Sequence, residues 1–149
     1  PKGLLKIGLY SERARSSVVA CREAIATQDI SANPAGIRQL RQQLLQQDNQ
    51  DTRWADIRTS PDFYSASGCR DLLFHVKEHR FTPLQLKALC DELEVKFLGF
   101  SGLSSTTVDD YRTKFPADQH MLNLENWDIV EMQQQNLFSS MFQFYTQNM

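Results

Sequence analysis

Between Thr82 and Phe100 the spacing of apolar residues changes from helical to extended, and this change constrains the fold more than any other stretch. Thr82 stands as an N-cap, Pro83 at the first helical position and Gln85 three residues past the cap. That is the spacing of a capping box, in which hydroxyl and amide each satisfy a backbone N–H left over at the helix end. Phe81 and Leu86 stand where a hydrophobic staple would. Leu86, Leu89, Cys90 and Leu93 then recur at three- and four-residue spacing, the apolar stripe of a helix. From Val95 the period is two: Val95, Phe97 and Gly99 alternate with Lys96, Leu98 and Phe100, as in a strand. The rest of the chain must supply partners for that strand.

Two stretches qualify. Leu4 to Tyr10 is a near-continuous apolar run of strand length, the kind that suits a strand covered on both faces of an α/β sheet. The C-terminal residues Leu137, Phe138, Met141, Phe142 and Tyr145 fit a helix, while alternation across Met141–Tyr145 fits an aromatic-rich strand. With two strands already in place, Met141–Thr146 is read as the third. The expected fold class is therefore α/β: one domain over residues 1–149, with a small three-stranded sheet covered by several helices. Ser11 is read as capping a helix that runs to about Thr27, with Glu12 in its first turn and Ala14, Val18, Cys21 and Ile25 inward. Asn33-Pro34 opens a second helix that buries Ile37, Leu40, Leu44 and Leu45. Further helical segments are expected around Trp54 and Ile57, over Gly68–Glu78, over Val108–Lys114 and after an Asn123 cap, the last holding Trp127, Ile129 and Val130.

Charge and cysteine usage exclude several functions. A net charge of −2 makes no electrostatic case for nucleic acid or an anionic membrane. No apolar run approaches the ~20 residues that span a bilayer. Cys21, Cys69 and Cys90 are odd in number and far apart, which suits reduced thiols in a cytoplasmic protein, serving as small buried apolar side chains. The chain starts with a Pro1-Lys2-Gly3 turn that feeds a strand directly, and is read as a fragment of a longer polypeptide.

The candidate chemistry is sparse. Asp71, His75 and His79 are spaced by four and share a face if their helix is unbroken. The spacing invites a metal, but a helix end near His79 spoils the geometry, so no metal site is assigned. Asp71 and His75 are kept as candidate catalytic residues, because a His–Asp pair can carry a proton. Tyr10 and Ser11 end the first strand, where ligands bind in open α/β sheets. Packing and capping are the competing roles for them. Tyr64–Arg70 contains Ser-x-Ser-Gly-Cys without a nucleophile elbow, and reads as a turn feeding a helix. No Gly-x-Gly-x-x-Gly and no P-loop is present, so no nucleotide cradle is expected.

Three stretches resemble a known family. PKGLLKIGLYS resembles the turn and fifth strand of class I S-adenosylmethionine-dependent methyltransferases. DLLFHVKEHRFTPLQLKALCDELEVKFLGF is similar to their late region, which ends in the sixth strand. FPADQHMLNLENWDIVEMQQQNLFSSMFQFYTQ resembles the C-terminal end of a bacterial subset often fused to tetratricopeptide repeats. Trp127, Glu131 and the final MFQFY match that pattern, with Tyr145 where the pattern has Trp. The resemblance implies the far half of the methyltransferase Rossmann-like sheet, a mixed sheet with Met141–Thr146 antiparallel beside Leu4–Tyr10 and Val95–Phe100 at the edge. It implies S-adenosylmethionine as cofactor of the parent protein, none bound by this piece, and no activity of the piece alone. The helices between Glu12 and Arg58 resemble an insertion that shapes the acceptor site. Tyr10, Ser11 and His79 would contact an unknown methyl acceptor, with Asp71 and His75 as the catalytic candidates. The bare edge at Leu4–Tyr10 implies self-association. A mainly helical, non-catalytic interaction module is the competing function, and a terminal strand beside Leu4–Tyr10 separates the two.

Overall fold

A computed structural model describes residues 3–46, 54–75, 77–139 and 141–148. Its helices are α1 (Ser16–Thr27), α2 (Pro34–Gln46), α3 (Ala55–Thr59), α4 (Ala66–Phe74), α5 (Pro83–Glu92), α6 (Ser105–Lys114) and α7 (Leu124–Gln133), with a 3₁₀ turn at Pro61–Tyr64. Its strands are β1 (Leu4–Ser11), β2 (Arg80–Phe81), β3 (Val95–Phe100) and β4 (Phe142–Asn148). The fold is mixed α/β. The chain forms two compact units: a sheet unit of Pro1–Ala14 with His79–Met149, and a helical unit of Arg15–Glu78.

In the sheet unit the strand order is β2-β1-β4-β3. β4 is antiparallel to both β1 and β3, so the C-terminal stretch is a strand flanked on both sides. Its residues alternate cleanly, with Phe142, Phe144 and Thr146 buried and Gln143 and Tyr145 exposed. The sheet has four strands among the described residues, not the three expected. The extra one, β2, pairs parallel to β1 only at Tyr10↔Arg80 and Ser11↔Phe81. Two residues are too few to leave a periodic signal.

β1 also departs from expectation, since it is covered on one face and not both. Ile7 and Leu9 pack on the core, while Leu4, Lys6 and Gly8 on the opposite face are exposed. Lys6 faces the ring of Tyr145 at 5.9 Å.

The core of this unit is aromatic and rests on a bulge. Phe97 stands opposite Thr146, but Gly99 stands opposite Tyr145 and Phe100 opposite Phe144, so Leu98 is an extra residue in the ladder. Simple alternation would put Phe97 and Phe100 on opposite faces. The bulge brings both rings together, 5.1 Å apart. Phe100 then meets Phe138 at 4.7 Å, Trp127 at 5.3 Å and Phe142 at 5.4 Å. Each such pair adds roughly 0.5–1.5 kcal/mol to its area burial. Gly99 has φ +123°, which L side chains rarely adopt, so glycine is the residue that lets the bulge form.

α5 has the capping box as expected: the Gln85 N–H donates to Thr82 Oγ1, and the Thr82 N–H donates to Gln85 Oε1 at 2.8 Å. Leu86 and Cys90 are buried, while Leu93, expected in the same stripe, is the C-cap residue and is exposed. Asn123 caps α7 through Oδ1, which accepts from the N–H groups of Glu125 and Asn126. Of the apolar residues this helix holds, Trp127 and Val130 are buried and Ile129 is exposed.

The helical unit has its own core: Val18, Cys21 and Ile25 of α1, Ile37, Leu40 and Leu44 of α2, then Trp54, Ile57, Phe63, Cys69, Leu72 and Leu73. Leu45 points outward. α1 begins at Ser16, not at Ser11. Ser11 stays in β1, where it opposes Phe81, and the Glu12 N–H donates to the Phe81 carbonyl. α2 is capped by Asn33 Oδ1, which accepts from Ala35 and Gly36 N–H. α4 packs so closely on the 3₁₀ turn that a Cβ on Gly68 would sit 2.6 Å from the Asp62 carbonyl oxygen. The three cysteines are free and buried, and burial pushes the Cys21 thiol up to about 12. No described helix is long and apolar enough to cross a membrane.

Candidate functional site

Among the described residues, polar side chains gather in both units. A first place lies at the carboxyl end of β1. Ser11 is fully buried, and its Oγ donates to Glu131 Oε1 at 2.5 Å while accepting from the Ala14 N–H at 3.0 Å. Arg13 donates through Nη1 to Glu131 Oε2 at 2.6 Å and to Asp128 Oδ1 at 2.8 Å. Both acids stand on the inward face of α7 beside Leu124 and Trp127. Burial pushes the Glu131 carboxyl above its ordinary range, although Ser11 and Arg13 both favour its ionised form. The cluster ties the turn after β1 to α7. Ser11 Oγ, Arg13 Nη1, Asp128 Oδ1 and both Glu131 carboxylate oxygens are thus engaged within this cluster.

The sequence carries a signal for these acids. Asp128 and Glu131 fall at helical spacing with Leu124 and Trp127, so an apolar face carries two carboxylates. Carboxylates on such a face need a cation.

The second place is a pocket of about 660 Å³ in the helical unit. Ala32, Pro34, Ile37, Ala66 and Phe74 line it with apolar surface. Ser67, Arg70, Asp71, His75 and Lys77 supply its polar groups. A Ser65 cap starts α4, its Oγ accepting from the Gly68 N–H at 2.9 Å, and this brings Ser67, Arg70 and Asp71 to the pocket. α4 ends at Phe74, so His75 lies one residue past the helix.

The expected histidine face is therefore broken. Asp71 and His75 line the same pocket, but no hydrogen bond joins them among the described residues. His79 lies beyond the helix, in the sheet unit, directly before β2. The expected helix over Gly68–Glu78 ends early because the chain turns extended at His75. Among the described residues no group of three or more His, Cys, Asp or Glu is placed to hold a metal ion. Tyr10 and Ser11 sit in the sheet unit, where Tyr10 is half-buried opposite Arg80 and Ser11 belongs to the buried cluster.

A further ionic cluster braces the helical unit. Arg15 Nη2 and Arg22 Nη2 reach Glu78 Oε2 at 2.6 Å and 3.1 Å. Arg22 also donates to the Leu72 carbonyl at 2.7 Å. Burial alone would raise the Glu78 carboxyl, but the two guanidinium groups outweigh it and hold the group below its usual range. A second, smaller pocket of about 440 Å³ lies in the sheet unit near α5 and β3, with its Lys87 and Asp91 paired to each other at 3.2 Å.

No protein-family model matches the chain, and no curated protein matches it in sequence.

Proposed function

We propose that this chain is the C-terminal, acceptor-side portion of a cytoplasmic S-adenosylmethionine-dependent methyltransferase of the tetratricopeptide-repeat-fused bacterial type, inactive without a cofactor-binding portion supplied by residues outside it. The observation that carries this reading is the position of β4. The last strand of the chain runs antiparallel between β1 and β3, the order that the family resemblance leads one to expect. A helical interaction module has no need of that strand.

The residues present do not fit the cofactor by themselves. The sequence has no glycine-rich loop between strand and helix, and the turn after β1 has its polar groups bound to Glu131 and Asp128. No transfer step is therefore assigned to this chain. Its own residues would hold and orient the acceptor, and alignment is most of what methyl transfer requires. Asp71 and His75 at the pocket are the groups able to take a proton from an acceptor that must lose one. Ser11, Arg13 and Glu131 fix the turn after β1 and so act as positioning residues. The outer side of Leu4–Leu9 is where the next strand of the parent sheet would pair.

Titration calorimetry with S-adenosylhomocysteine tests the reading. The longer polypeptide that contains this chain is expected to bind the ligand saturably, and the chain alone to give no heat. A longer polypeptide without affinity for S-adenosylhomocysteine overturns the proposal.

A further inference from the structure

We propose that the pocket of the helical unit binds a small organic anion, a carboxylate or phosphate carried on an apolar or aromatic body. At about 660 Å³ it lies within the size range of small-molecule sites. Its apolar surface, from Ala32, Pro34, Ile37, Ala66 and Phe74, suits a hydrocarbon or ring. The charges around that surface do not balance. Among the described lining residues, Arg70 and Lys77 are two cations against the one carboxylate of Asp71.

The surplus is free to act on a ligand. Among the described residues, the side chains of Arg70, Asp71, His75 and Lys77 make no hydrogen bond or ion pair. The arginines behind them in the same unit behave otherwise, with Arg15 and Arg22 both tied to Glu78. A guanidinium beside an apolar wall matches a planar carboxylate or a phosphate, which it holds by paired, charge-assisted hydrogen bonds. Asp71 disfavours a second negative charge on its side of the pocket, and Ser67 offers a hydroxyl there. The occupant is thus a molecule with one acidic end and an apolar remainder. This rests on the methyltransferase reading only in making that occupant the methyl acceptor.

Binding of 2-naphthoate and of its neutral counterpart 2-naphthamide to the chain, followed by amide chemical shifts, tests the assignment. Saturable 2-naphthoate shifts centred on Ala32–Ile37 and Ala66–His75 are expected, with weaker binding of 2-naphthamide. The double variant Arg70→Ala, Lys77→Ala changes only exposed side chains. It should weaken 2-naphthoate about tenfold and leave 2-naphthamide unchanged. Equal affinity for the two probes, an unaffected double variant, or no saturable binding of 2-naphthoate overturns the proposal. A longer polypeptide that fails to bind S-adenosylhomocysteine removes the methyltransferase reading and leaves the anion site standing.

Discussion

Arg15 and Glu78, the first and last residues of the helical unit, are joined by an ion pair of 2.6 Å, with the Glu78 side chain only 5% exposed. The unit is clasped at its own ends. Glu78→Ala leaves Arg15 and Arg22 facing each other without the carboxylate, and should cost about 3 kcal/mol. The pH dependence has a definite sign. The folded carboxyl titrates below its ordinary value of 4.5, so its contribution is fully present above that pH and is lost as pH falls through the lower, folded value. Thermal melts by circular dichroism, from neutral pH down to about pH 3, should show a shallower acid loss in the variant. Parallel curves for the two proteins would count against the clasp.

Ser11 and Glu131 should act as one unit. Ser11→Ala removes a donor from a fully buried carboxylate and an acceptor from the Ala14 N–H, at a cost of about 1–3 kcal/mol. Urea denaturation of Ser11→Ala, Glu131→Gln and the double variant should give a coupling energy above about 0.5 kcal/mol. Simple additivity would mean that the contact does no structural work.

Gly99→Ala isolates the bulge. A Cβ there would meet Leu122 Cδ2 at 3.9 Å, an ordinary contact, so any loss reports backbone strain at φ +123° and not crowding. The expected destabilisation is about 1–3 kcal/mol. Near-UV circular dichroism should report changed packing of Trp127 against Phe100.

The outer side of β1 should recruit a second copy. Among the described residues nothing pairs with that side between Leu4 and Leu9, and its first two leucines are exposed. Sedimentation velocity is expected to show association that rises with concentration and is lost in Leu4→Lys, Leu5→Lys. A monodisperse wild-type monomer at high concentration rejects this.

What the sequence disclosed was local. The Thr82–Gln85 box, the Asn33 and Asn123 caps and the switch of period at Val95 each involve residues a few positions apart, and each is present. β4 was legible because Phe142 and Phe144 alternate with polar or exposed neighbours once two other strands require a third. What stayed hidden depends on residues distant in the chain. Ser11 reads as a helix cap until Phe81 and Glu131 hold it in the sheet. Phe100 reads as outward until the register against β4 slips by one. His75 and His79 read as helical neighbours of Asp71 until the chain turns extended after Phe74. The pocket joins the start of α2 to α4, so Arg70 and Lys77 have no motif to announce them.

The clasp between Arg15 and Glu78 also bears on how such a chain can change. A segment whose two ends are held to each other is an interchangeable cassette. It can be lengthened, replaced or redecorated between those two residues without rerouting β1 into β2. Sequence change in the helices and the strand order of the sheet unit are then separately heritable.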